Sequence, residues 1–324
     1  MKRWIERWNA YWFPETTTRE LCLSRIVVVA AQLLLFPPVL EKHINYLTKN
    51  SEFIDPQVII SAIAAVFPRE TVFTPSVFTT LYWVTFVAGL LTLVGLFTRP
   101  SAFVFALCNW IFVAHEYSYG DRHHGEALFC ILLMCYAFSP SGDSYSIDAL
   151  LRRWRSRRAG VPVEGSRRTD TAMWPLKFVH VLLAMTYFST GASKLIAGGP
   201  SWMNGYTLQL YTFNDALNRG MPFGIWLAQQ HTLAIALSIF TILFETFFFV
   251  SVLLPWTAPL FFIVGIFFHL SLYMAGGHDF FQHIALLLVL LLFLAPAWWR
   301  AWLNKYLAIL SARWRRQEQA QQPV

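Results

Sequence analysis

The chain has 324 residues, 56% hydrophobic and 13% charged, with 29 Phe, 14 Trp and 12 Tyr. An ordinary soluble domain is roughly a quarter charged, so this composition excludes a water-soluble globule, and disorder is excluded because it needs low hydrophobicity. Lys and Arg outnumber Asp and Glu by 25 to 18, a net +7; the basic residues lie in short segments between apolar runs, which points to membrane orientation rather than to nucleic acid.

Residues 1–20 read as an interfacial N-terminal helix. Trp4, Ile5, Trp8, Tyr11 and Trp12 recur at near-helical spacing, with Lys2, Arg3 and Arg7 between them. That pattern suits a helix lying in the headgroup plane, and no small-residue cleavage pattern follows it as in a secretory leader. Pro14 ends the helix, and Thr17 and Glu20 have capping-box spacing at the start of the first span.

Residues 21–302 form one transmembrane unit with eight apolar segments, at about 21–40, 79–97, 101–115, 125–138, 174–195, 233–254, 258–274 and 280–297. The third and fourth fall short of the ~20 residues that cross a bilayer. Either their polar ends enter the membrane or the two helices pack inside the bundle. Residues 57–67 are too short to span and read as a surface or re-entrant helix. Between spans four and five, Ile147, Leu150, Leu151 and Trp154 make an apolar stripe beside Arg152, Arg153, Arg155, Arg157 and Arg158, as in an interfacial helix on anionic lipid. Cys22, Cys108, Cys130 and Cys135 lie in apolar runs without a CxxC and read as small helix residues. Residues 303–324 are a basic polar tail. The fold class is an all-α polytopic transmembrane bundle of about eight spans with interfacial amphipathic helices.

Loop charge sets the expected orientation. With the N-terminus inside, inner segments hold 17 Lys and Arg and outer segments 5, a positive-inside split that places both termini in the cytoplasm of a multi-pass protein of the plasma (bacterial inner) membrane.

Three polar clusters remain. His123, His124 and Glu126 sit at the outer end of span four. Tyr187 to Leu195, with Lys194, is followed by Gly198, Gly199, Trp202 and Gly205. His269 precedes Gly276, Gly277, His278, Asp279 and His283. All three converge on the outer half of the bundle, and Glu245 lies near the middle of span six. Ionisable groups in spans are costly and face the bundle or a cavity. Simple readings exist for each: Lys194 snorkels to the headgroups, His123 and His124 are loop residues, His269 is a hydrogen-bonded core histidine, Glu245 pairs with Arg25 or a neighbouring helix, and Arg25 snorkels inward. The functional reading is that a lysine walled by apolar groups loses solvation of its charged form and acts as a base. The glycines after it let the backbone approach a ligand. The histidines and carboxylates are also conceivable metal ligands, but their spacings fit no HxxxH or HExxH template, and no stoichiometric metal is expected.

At these residues the chain resembles the membrane part of the vitamin K-dependent gamma-carboxylase family, whose wider bacterial group is called the horizontally transferred transmembrane domain, HTTM. Arg122-His123-His124 before an apolar helix and the run from Ser139 to Asp148 are similar to one family block. Trp174, Leu176, Tyr187 to Leu195, Trp202 and Gly205 are similar to a second, and Phe268-His269 to a third. The resemblance implies that Lys194 is the catalytic base and His124 an active-site histidine. In that family the lysine deprotonates vitamin K hydroquinone, oxygen addition creates a strong base, and a glutamyl proton is removed so that CO2 can add. His123, Tyr187, Trp202, Gly205 and His269 would then surround a vitamin K-like quinol. The sequence departs from the family at His123 (Asn there), at His180 (Gln there) and at His278-Asp279 (Ile-Gly there), and it lacks an Asn shortly after the late histidine. No luminal domain follows Trp302, so turnover of a propeptide-tethered glutamyl substrate is not expected unless a separately encoded partner protein supplies that domain. Whether the chain is an enzyme is left open by the residues. A non-catalytic membrane binding or assembly protein and an outward-facing metal-dependent membrane enzyme are the alternatives.

Overall fold

The computed structural model describes residues 2–49, 55–120, 124–161, 168–302 and 305–306. His123 lies outside the described residues, as does most of the C-terminal tail. The fold is all-α. Each expected span is a helix: α2 (Arg19–Leu34), α6 (Pro75–Val94), α7 (Thr98–Tyr117), α8 (His124–Ala137), α10 (Trp174–Gly198), α13 (His231–Phe247), α15 (Ala258–Gly276) and α16 (Phe281–Phe293). Among the described residues, three helices are long and apolar enough to cross a membrane: Pro75–Val94, His231–Leu253 and Pro255–Gly276. The chain is therefore a membrane protein.

Between these lie the peripheral helices. α1 (Lys2–Trp12) is the expected N-terminal amphipathic helix, and α4 (Val58–Val66) is the short segment read as non-spanning. α3 (Leu40–Leu47) packs on α6, and α5 (Arg69–Val72) precedes α6. α9 (Ile147–Arg158) is the arginine-rich helix. α11 (Tyr206–Arg219) and α12 (Pro222–Ala228) fill the connection to α13, and sequence reading left both without a structure.

The shortness of α8 has a packing explanation. Gly125, Leu128, Phe129, Cys130, Leu132, Leu133, Cys135, Tyr136 and Ala137 are all buried, and the helix touches α2, α7, α10 and α16. It is the central strut of the bundle, so it need not match the bilayer. Lipid tails are as apolar as leucine, so such a bundle is held by close packing and polar contacts, with each interhelical hydrogen bond adding ~0.6 kcal/mol. The buried bonds Gln32 Nε2 to Asn109 Oδ1 (2.9 Å) and His180 Nε2 to Ser251 Oγ (2.8 Å) are of this kind. All four cysteines are free and buried.

One end of the bundle is closed by the loop from Ser139 to Asp148. Asp148 accepts hydrogen bonds from Phe97 N (3.0 Å), Thr98 N (2.8 Å) and Thr98 Oγ1 (2.7 Å), and so caps the exposed amides that start α7 from a distance in sequence. Tyr136 Oη donates to Ser24 Oγ at 3.0 Å, and Thr18 and Ser144 hydroxyls meet at 3.2 Å. Gly95 ends α6 at φ +69°, where a Cβ would stand 2.3 Å from Ser146 Cβ.

Two local expectations change. Thr17 does not cap the first span: it lies in a two-residue strand, Thr16–Thr17, paired antiparallel with Arg168–Thr169, and Thr18 occupies the cap position of α2. Its hydroxyl reaches only the Glu20 side chain, at 3.2 Å. Arg25 does not snorkel. It is fully buried, and its Nη2 donates to the carbonyl of Tyr145 at 2.7 Å. Glu245 accordingly has a different partner.

Candidate functional site

α10 carries Thr186, Tyr187, Thr190 and Lys194 at helical spacings of three, four and seven, which puts them on one face. That face meets α13 across Gly191. A Cβ there would sit 2.6 Å from Thr246 Oγ1 and 2.8 Å from Thr246 N, so only glycine allows the two helices to come this close. One turn further, Lys194 Nζ reaches Glu245 Oε2 at 2.5 Å. Glu245 is thus paired with Lys194, not with Arg25, and Lys194 is held inside the bundle and not drawn to the headgroups.

Gly199, at φ +55°, ends α10. The chain then turns back through a 3-10 segment, Gly199–Asn204, so that the Trp202 ring lies 5.4 Å from Lys194 Nζ. This is cation–π distance. On the next turn inward, Tyr187 stacks on Phe248 with centroids 4.3 Å apart, and its hydroxyl lies 2.6 Å from His269 Nε2. With the imidazole proton on Nδ1, the phenol donates in that bond. His269 is buried, and its Nδ1 has no hydrogen-bond partner among the described residues. The His283 ring lies 4.8 Å from that of His269.

These groups line one cavity of about 530 Å³. His124 on α8, Asp215 and Thr212 on α11, and His278 complete its polar wall, while Phe268, Phe280, Leu272 and Leu208 make it largely apolar. At the rim, His278 Nε2 meets Asp215 Oδ2 at 2.8 Å, and Arg219 Nη1 donates to Gly277 O at 2.6 Å, so α11 is latched to the end of α15. A largely apolar cavity of this size with a few convergent polar groups has the properties of a small-molecule site.

Five of the seven expected site residues come together here: His124, Tyr187, Lys194, Trp202 and His269. Gly205 does not line the cavity. It starts α11 at φ +84°, and its missing side chain makes room for the backbone nitrogen of Ile235, which a Cβ would approach to 2.8 Å. His123 lies outside the described residues. Of the two partners that the sequence offered for Glu245, Arg25 or a neighbouring helix, the second holds, through Lys194 of α10; the α11 contribution was missed altogether. Among the described residues, no group of three or more His, Cys, Asp or Glu side chains could hold a metal ion.

The loop from Ser139 to Asp148, part of the first resembling block, is not among the residues lining this cavity; it makes the structural seam around Arg25 and the start of α7. The family model described as HTTM domain matches residues 15–298, which takes in every helix of the cavity. No curated protein and no solved structure matches the chain.

Proposed function

The chain belongs to the HTTM domain family, and from that premise we propose that it is an eight-span membrane protein, both termini cytoplasmic, that binds a quinol-type aromatic alcohol in the cavity around Lys194 and removes its hydroxyl proton. The positive-inside split of 17 to 5 supports the orientation. The single observation that carries the chemistry is the buried Lys194–Glu245 pair on the wall of a cavity floored by aromatic rings.

The residues present fit such a ligand. Trp202, Tyr187, Phe268 and Phe280 can flank a flat ring, and the unpartnered Nδ1 of His269 offers a hydrogen bond to a ring oxygen. When bound, a quinol supplies an acidic aromatic hydroxyl and two electrons. Lys194 supplies the base. Two charges in a low-dielectric cavity carry a desolvation cost that the neutral pair lacks. Transfer of one proton across the 2.5 Å contact from Nζ to Glu245 Oε2 leaves a free amine facing the cavity. Glu245 is then the store for the lysine proton, and Trp202 favours the ammonium once Lys194 has taken a proton from the ligand. Tyr187 fixes the tautomer of His269, and His124 stands at the rim as a route for protons to water.

Lys194→Arg tests this reading. The guanidinium keeps the charge and the partner but cannot become neutral near pH 7. Normal folding with lost deprotonation of a bound quinol is expected; full deprotonation in the arginine variant would reduce Lys194 to an anchor. Extraction of the purified protein for a bound quinone is the direct companion measurement.

A further inference from the structure

At the opposite end of the bundle from Lys194, a groove of about 580 Å³ opens between the start of α2, the end of α6 and α9. Its lining includes Arg19 and Arg153, both exposed and neither in an ion pair among the described residues. Val94, Ile147 and Leu150 form an apolar side, and Tyr145 the floor. Tyr145 holds the left-handed conformation at φ +48°, which is costly for a residue with a side chain and persists only where its surroundings enforce it. Here the enforcing group is Arg25, whose Nη2 takes the Tyr145 carbonyl from behind.

Arg25 is fully buried, and its Nε and Nη1 have no hydrogen-bond partner among the described residues. It makes no ion pair among the described residues. Asp148, the carboxylate that faces it electrostatically, already accepts three hydrogen bonds from Phe97 and Thr98. A buried guanidinium without a paired anion is expensive, and two further guanidiniums stand free at the groove mouth. The groove therefore concentrates positive charge against an apolar wall.

We propose that this groove is a site for one anionic phospholipid, with its phosphate between Arg19 and Arg153 in the field of Arg25, and its acyl chain along Val94, Ile147 and Leu150. Arginine suits phosphate because its planar fork donates in pairs. The occupant is a lipid and not a free anion because the same wall continues into the exposed stripe of Leu150, Leu151 and Trp154, an apolar surface that an acyl chain covers and an inorganic anion does not. The site is independent of the quinol reading, so either can fail alone.

The test is native mass spectrometry of delipidated protein titrated with phosphatidylglycerol or phosphatidylcholine in mixed micelles. The wild type should keep one phosphatidylglycerol, bound at least tenfold more tightly than phosphatidylcholine. Arg19→Gln with Arg153→Gln should abolish that preference. Arg155→Gln with Arg157→Gln, which removes the same total charge but from α9 outside the groove, should leave it unchanged. Arg153→Gln alone, on an exposed face of α9, serves if the double variant fails to fold, and should weaken the lipid severalfold. Equal retention of both lipids, or equal loss in both double variants, would reduce the effect to general surface charge and overturn the proposal. Displacement of the lipid by millimolar inorganic phosphate would make this a free-anion site and overturn the lipid assignment.

Discussion

Replacing Glu245 by Leu leaves the Lys194 ammonium inside the bundle without its anion. Breaking a buried pair costs about 3–5 kcal/mol, but here the side chains retain 18% and 6% exposure through the cavity, and Trp202 still faces the ammonium at 5.4 Å. Discounted for that access, the loss should be about 2 kcal/mol. Lys194→Met should cost about the same, because it leaves the more buried carboxylate alone. The double variant removes both charges and puts apolar groups in their place, so it should lie within about 1 kcal/mol of the wild type. The coupling is then about 3–5 kcal/mol, at or above the top of the range for contacting residues. Reversible unfolding in mixed micelles, followed by tryptophan fluorescence, measures all four proteins. If the two single losses simply add in the double variant, Lys194 and Glu245 are not a pair in the folded protein, and the proton store inferred for the site has no basis.

Tyr187→Phe should destabilise by about 1–3 kcal/mol, because it leaves the buried Nε2 of His269 without its 2.6 Å partner; the same unfolding assay reports it, and His269→Phe in the Tyr187→Phe background should recover part of the loss. For Asp148, burial raises the carboxyl pKa, but the hydrogen bonds from Thr98 and Phe97 outweigh burial and hold it below the usual carboxylate range. A depressed carboxyl contributes stability above its unfolded pKa and loses it as pH falls through the folded one, so thermal stability should drop below about pH 4 and drop less in Asp148→Asn. For orientation, the four native thiols are buried, so a cysteine placed at exposed Asn204 should react with an impermeant reagent from outside, and one at Arg168 should not; the reverse pattern would invert the topology.

The helices of the bundle could be read from hydropathy because a lipid-facing segment must be apolar over its length. α11 was not legible: it is amphipathic, and its value to the site lies in Asp215 and Thr212, which look like ordinary surface residues until Ala216 and Thr212 are seen to be buried. Lys194 and His269 stood out because polar groups in apolar runs are costly. The pairings did not, since Glu245 is 51 residues from Lys194 and Tyr187 is 82 from His269, and no local pattern encodes which of two helix faces will meet. Arg25 misled for a related reason. A cation one turn inside a span ordinarily reaches outward, and only the left-handed turn at Tyr145, unforeseeable in a non-glycine residue, supplied a carbonyl that keeps it in.

The shortness of α8 has an electrical consequence. Fourteen residues rise about 21 Å against the ~30 Å of a bilayer core, and His124 at its tip lines the cavity rim. In the proposed orientation the cavity would carry the outer aqueous phase below the headgroups, and the membrane voltage would fall mainly across the rest of the bundle. In the proposed mechanism a proton leaving Lys194 by way of His124 would cross little of that field. Turnover at this cavity should be nearly blind to membrane potential, however strongly it responds to the acidity of the medium it faces.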